Sequence, residues 1–264
     1  MRNWVSEAMK KEILKQQTIY VHMDNVINNV VTSGITFCDF MNGVMTPPQN
    51  VLLLKHQFPE ASFNAHTSFH YSEVNDLSEL KKAPVSQYAD FCWVDFEDLD
   101  LVNQLTAQEV AELLYLAHTG RHLRSPFYYK LQNNFVYLTK EDGRYNKVYY
   151  RNLDQFYHVL GYAIWKNMMQ MTTEKIVLPF MKRKKIADIP TDLLKKFAEY
   201  FREGACISFD DAVKTRNQIE VPIGLNLKDD MQELLRSNDL IEYEHVVAHL
   251  IYDMKQNEWS VIDG

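Results

Sequence analysis

Glycine is the first shortage, with 8 in 264 residues. Phosphate-cradling loops and doubly wound folds need glycine where backbone approaches a ligand or turns left-handed. Neither GxGxxG nor GxxxxGK[ST] occurs, which argues against nucleotide-dependent chemistry. Cysteine is scarcer still. Cys38, Cys92 and Cys206 stand far apart without CxxC spacing. Such an odd, sparse set suits free thiols in a reducing cytoplasm. Long apolar runs are missing: none approaches the roughly 20 residues of a bilayer span. The first residues, MRNWVSEAMKKEILKQQ, contain no apolar h-region. The expectation is a soluble cytoplasmic protein with no membrane partner. Positive charge is also in deficit, with 28 Lys and Arg against 35 Asp and Glu, a net −7. That balance argues against nucleic acid unless a local basic patch exists.

What remains is ordinary for a globular chain: 46% hydrophobic and 24% charged residues. The length suits one large domain or two small ones. The densest stretch runs from Ala89 to Thr139 and reads as strand, acidic turn, helix, basic turn and sheet. Phe91 to Phe96 is apolar on both faces, as in a central strand. Thr106 to Ala117 is the best-formed helix. Thr106 and Glu109 make a capping box, Val110, Leu113, Leu114 and Ala117 form a stripe, and Gly120 sits where a left-handed cap belongs.

Around that stretch, residues 3–16 have a helical period. Residues 24–41 keep one too, weakened by Gly34 and by β-branched residues. Val51 to Leu54 and Ser68 to Val74 read as strands, and Leu77 to Lys82 as a helical turn. A β-meander is expected near 126–150, with strands Phe127 to Leu131, Phe135 to Thr139 and Tyr145 to Tyr150. Its turns fall at Asn133-Asn134 and Asp142-Gly143. A helix should start at Asn152 and bury Leu153, Phe156, Tyr157, Leu160, Ile164 and Met168. Further on come a strand at Ile176 to Phe180, helices at Asp192 to Glu203 and 228–236, and strands at Cys206 to Phe209 and Ile219 to Ile223. For the tail, a hairpin over His245 to Ile262 competes evenly with a helix over Glu242 to Met254. The fold class is α+β: a mainly antiparallel sheet with helices packed on one side. Two lobes would divide as 1–171 and 172–264.

Six of the nine histidines fall in H-x3-H pairs: His66/His70, His118/His122 and His245/His249. This spacing aligns two imidazoles on one helix or strand face, where both can reach a divalent ion such as zinc. A metal-dependent hydrolase would add a carboxylate. No pair is an HExxH, and Gly120 interrupts the second pair. The leading expectation is therefore no cofactor, with the metal-dependent hydrolase using paired histidines and a carboxylate as the alternative.

The basic turn holds His118, Arg121, His122 and Arg124 at a helix C-terminus. One reading is charge pairing with the negative end of the helix dipole. The other is an anion pocket, because Arg grips phosphate or carboxylate bidentately. A competing outcome is an internal bridge from Arg121 or Arg124 to the acidic turn Asp95–Asp100. That acidic turn also fits a carboxylate pair or a hard-cation site. The run Lys182 to Lys185 reads as a solvated loop. Cys92 reads as an inert core thiol, and Ser125 lacks a nucleophile elbow. The meander aromatics would be able to stack bases, although no RNP-like pattern accompanies them. No complete catalytic set is present. The leading expectation is therefore a binding or regulatory protein that recognises a protein partner or a small anion.

Overall fold

In the computed structural model of the chain, the described residues are 18–55, 58, 60–82, 90–140, 144–173, 186–226 and 243–264. The expectations at 3–16, Asp142-Gly143, Ile176 to Phe180, Lys182 to Lys185 and 228–236 lie outside them. Two compact units emerge: Met23–Leu160, and Met1–His22 together with Gly161–Gly264. Strand β1 (Thr18–Asp24) belongs mostly to the second.

The Met23–Leu160 unit contains, in order, β2 (Asn29–Ser33), α1 (Phe37–Gly43), β3 (Asn50–Leu53), β4 (Ser62–Asn64), β5 (Phe69–Glu73), α2 (Leu77–Lys82) and β6 (Cys92–Phe96). It continues with α3 (Leu99–Val102), α4 (Ala107–Thr119), β7 (Phe135–Lys140), β8 (Tyr145–Tyr150) and the first turns of α5 (Asp154–Thr173). Its strands lie in the order β2-β8-β7-β6-β3-β5-β4, every pair antiparallel. The architecture is α+β, as the sequence pattern implies.

Register explains why β6 is buried at every position. Cross-strand partners share a face. Leu53, Trp93, Tyr137 and Val148 line one face, and Leu52, Val94, Val136 and Tyr149 line the other. Helix α1 covers the first: the Phe37 ring lies 4.4 Å from Trp93 and 5.1 Å from Tyr137, and Phe40 lies 4.8 Å from Phe135. Helices α3 and α4 and the loop carrying Tyr128 and Leu131 cover the second, through Val102, Leu113, Leu116 and Ala117. Helices thus lie on both faces rather than one. A strand apolar on both sides must be covered on both to remove its surface from water.

Two local expectations change. Residues 24–41 are not one helical segment. The Asp24 side chain accepts from the Val26 and Ile27 backbone, a turn that side-chain capture of N–H groups favours over helix. Asn28 takes a positive φ of 49°, and β2 follows. Helix α1 starts only after Thr36, whose hydroxyl caps the Asp39 N–H while Asp39 reaches back.

Phe127 to Leu131 is not a strand but a run of turns. The neighbours of β7 are β6 and β8. The buried Asn133 side chain takes the Tyr128 N–H and donates to the Pro126 carbonyl, so these groups never enter a ladder.

In the second unit α5 continues, followed by α6 (Thr191–Lys195), α7 (Ala198–Glu203), β9 (Ala205–Ser208), β10 (Val213–Lys214), β11 (Gln218–Leu225), β12 (His245–Asp253) and β13 (Glu258–Asp263). The strand order is β13-β12-β11-β9-β1, with β10 on β11. The helix expected at Asp192 to Glu203 breaks at Lys196-Phe197, where the bonds shorten to Lys196 N–H on Leu193 and Phe197 N–H on Leu194. The tail is a hairpin. Asp253 accepts from the Lys255 and Gln256 N–H groups, and Asn257 turns at φ 62°, chemistry that ends a helix and closes a hairpin.

Candidate functional site

Helix α4 begins as its sequence dictates. The Thr106 hydroxyl accepts from Glu109 N–H at 3.2 Å, and the Glu109 carboxylate accepts from the Thr106 N–H and hydroxyl at 2.7 and 2.9 Å. Burial pushes the Glu109 carboxyl up, but hydrogen bonds from Lys130 and Thr106 outweigh it and hold it below its ordinary range. The helix ends at Gly120, left-handed at φ 66°, whose N–H closes on the Leu116 carbonyl.

The Gly120 carbonyl is the hub of the basic corner. It accepts from the Tyr149 hydroxyl at 2.9 Å and the Lys147 ammonium at 3.2 Å. Lys147 lies 4.9 Å above the Tyr149 ring, and His122 meets that ring edge-on at 5.4 Å. His122 Nδ1 is buried without a hydrogen-bond partner among the described residues. The Lys147 ammonium is held below its ordinary range by burial first, then by Arg121 and Lys140, with Asp24 pulling the other way. Lys140 pairs with Asp90 at 3.5 Å. Arg121 and His118 are exposed.

The four expected basic residues are therefore not gathered around one pocket. His118, Arg121 and His122 stay with the corner. Arg124 lies apart, its Nε 3.6 Å from Glu112 Oε1. A cavity of about 330 Å³ opens there, walled by Arg124 and Ser125 but also by Glu109, Glu112, Phe127 and Tyr128. Ser125 Oγ caps the Phe127 N–H.

Neither Arg121 nor Arg124 has an ion pair with the acidic turn among the described residues. That turn is committed internally. The Asp95 carboxylate accepts from the Asn134 and Phe135 N–H groups at 2.9 and 2.7 Å and from the Asn134 side chain. Burial pushes its pKa from an ordinary 3.8 to about 6, against the lowering effect of those bonds. Asp98 caps α3 by accepting from Asp100 N–H.

The paired histidines have separate surroundings. His66 Nε2 lies 2.9 Å from the Leu105 carbonyl, and His70, on β5, has its ring 5.2 Å from Phe63. His245 and His249 lie on β12 on either side of a register shift, opposite Leu225 and Pro222, so the bulge takes them off a common face, and His249 Nδ1 lies 2.9 Å from Glu220. Among the described residues, no group of three or more His, Cys, Asp or Glu is placed to hold a metal ion. Burial pushes the Cys92 thiol up to about 12, which keeps it protonated and inert.

The aromatics of β7 and β8, Phe135, Tyr137, Tyr145, Tyr149 and Tyr150, are buried and so are not available to stack on bases. In the neighbouring loop Tyr129 is 91% exposed. No helix among the described residues is long and apolar enough to cross a membrane.

Sequence reasoning missed Lys147, Tyr149 and Glu112. Lys147 and Tyr149 reach Gly120 across 27 and 29 positions of chain, so no local pattern announces them. The outer face of α4 differs from the expected stripe. Leu114, placed by its spacing in the buried stripe, is instead exposed, and Leu114 and Tyr115 lie four and three residues before the exposed His118, so both adjoin it on the helix surface. Comparison with models of protein families, with curated proteins and with solved structures finds no match to this chain.

Proposed function

We propose that this chain is a cytoplasmic binding or regulatory protein that engages a protein partner or a small anion at the basic corner after α4. One observation carries the reading: positive groups converge on the Gly120 turn beyond what the helix end requires. Lys147 and Tyr149 already satisfy the Gly120 carbonyl. Arg121 still stands close enough to Lys147 to depress its ammonium, and Arg121 has no ion-pair partner among the described residues. An anion or a partner carboxylate placed there relieves that repulsion.

Apolar surface beside the corner supports a protein partner. Leu114 and Tyr115 project outward on α4, and Leu123, in the turn that follows, is 60% exposed. Exposed aromatic and aliphatic groups ringed by charge are the ordinary make-up of an interface centre and its rim.

The test is thermal melting of the wild type and Arg121→Ala in rising phosphate and, separately, with an acidic peptide. A ligand that binds only the folded state raises the melting temperature. The expected result is stabilisation of the wild type by at least one probe and none for Arg121→Ala. The unliganded variant should keep an unfolding free energy within about 0.5 kcal/mol of the wild type, as for a surface substitution. If neither probe raises the wild-type melting temperature, or both act equally on Arg121→Ala, the reading fails.

A further inference from the structure

The cavity beside Arg124 has the opposite polarity to the corner. Two carboxylates form its walls, and they are not equally satisfied. Glu109 is held through one oxygen: its Oε2 accepts from Thr106 and from Lys130, the latter at 2.7 Å. Glu112 is different. Its side chain is only 12% exposed, yet among the described residues its Oε1 accepts a single hydrogen bond, 2.9 Å from the neutral Gln108 amide. The Arg124 Nε stands 3.6 Å from the same oxygen, too far for a hydrogen bond. With Glu109 neutralised by Lys130, Glu112 is the carboxylate left with a loose counter-ion.

A largely buried carboxylate with a loose partner is an unfavourable arrangement, because desolvation has been incurred without the short charge-assisted bond that offsets it. Arg124 also has little holding it, since its side chain is 74% exposed. Ordering a long exposed side chain in one geometry costs entropy that a weak pair barely returns. Arg124 is thus a resident cation that a better-seated one can displace.

From this geometry we infer that the cavity is a subsite for an alkyl-guanidinium or alkyl-ammonium group, which takes the place of Arg124 against Glu112. Phe127 and Tyr128 supply the apolar wall for the alkyl stem, as such stems lie along apolar surface while the charged end seeks its partner. The volume of about 330 Å³ is at the small end for a ligand site and fits one side chain or a short amine. The Tyr128 phenol is pushed well above its ordinary range, by burial first and by Glu112 next, so it stays neutral beside the cation. The inference does not depend on the anion reading of the corner, because Arg121, His118 and His122 are not among the cavity walls.

The chemistry has two sources, a free amine or a basic side chain on a partner protein. The full-length chain is titrated with agmatine in one arm and with a blocked Gly-Arg-Gly peptide in the other, binding being read by calorimetry and by melting temperature. Agmatine is expected to bind. Arg124→Ala should bind it about twofold to fivefold more tightly, the range an exposed ion pair contributes. Glu112→Gln should abolish binding, with Glu112→Asp as a second variant should the amide unfold the chain. Arg121→Ala should bind as the wild type does. Tighter binding of the peptide than of agmatine assigns the subsite to a partner's side chain, and the reverse assigns it to a free amine. Failure of both probes to bind Arg124→Ala, or undiminished binding to Glu112→Gln, overturns the inference. Equal affinity in the wild type and Arg124→Ala overturns the displacement of Arg124.

Discussion

Helix α4 and the turn region that follows it, 121–134, are neighbours in sequence, yet they are specified in different ways. The caps at both ends of the helix are made within four residues. Thr106 and Glu109 cap each other, Gly120 closes on Leu116, and the Thr119 hydroxyl donates to the Tyr115 carbonyl. The turns are held from far away. Asp95 receives the N–H groups of Asn134 and Phe135, 39 and 40 positions on, and Lys130 donates to the Gln104 carbonyl and Glu109. Arg151 Nε donates to the Asn133 carbonyl. A region built on local contacts announces itself in sequence, while one built on distant side chains reads as whatever its composition resembles. Here that was an aromatic strand.

The turns are most vulnerable at Asn133. Its side chain is fully buried and serves Tyr128 N–H, the Pro126 carbonyl and the Phe135 carbonyl. Asn133→Ala strands these groups, and a buried unsatisfied group costs about 1–3 kcal/mol each, so the expected loss is about 4 kcal/mol by chemical denaturation. A loss no larger than that of a surface substitution would show that the turns do not depend on it.

Asp95 makes the stability of the turns depend on pH. Its folded pKa of about 6 lies above the ordinary 3.8. Between those values the folded chain binds more protons than the unfolded one, so stability falls as pH rises. The contribution of Asp95 is complete below its unfolded pKa and is lost as pH climbs through its folded pKa. Between pH 4 and 7 the wild type should lose about 2 kcal/mol relative to Asp95→Asn, whose side chain does not titrate. Parallel unfolding free energies for the two proteins across that range would exclude it.

The smallest effect belongs to the local region. Thr106→Ala removes one hydroxyl cap from an exposed helix start and should lower stability by about 1 kcal/mol. An unchanged denaturation midpoint would mean that packing of Leu113 and Leu116 alone determines where the helix begins.

Much of the fold was legible for the same reason that α4 was. Leu77–Lys82, Cys92–Phe96, Phe135–Lys140, Tyr145–Tyr150 and the long helix after Asn152 all carry a regular period or a cap in their own residues. The Asn152 side chain does accept from Asp154 N–H, and Phe156, Leu160, Ile164 and Met168 are buried as the spacing requires. The start of α1 was legible too, but its box pairs Thr36 with Asp39 rather than with Glu or Gln, and a period running back to residue 24 obscured it. The candidate site was only half legible. Its basic residues stand out in one short run, but the sequence does not reveal that Arg124 faces Glu112 or that Lys147 joins Arg121.

The periodic elements, the caps at Thr106 and Gly120 and the burial of β6 on both faces are written in the chain, because each follows from residues a few positions apart. Only the tertiary structure decided that 127–131 turns instead of pairing, that helices cover both faces of the Met23–Leu160 sheet, and that charges of opposite sign divide the space around 118–125. Those outcomes depend on which distant carbonyl, carboxylate or ammonium arrives within about 3 Å, the reach of a hydrogen bond. No period or spacing within a segment encodes that meeting.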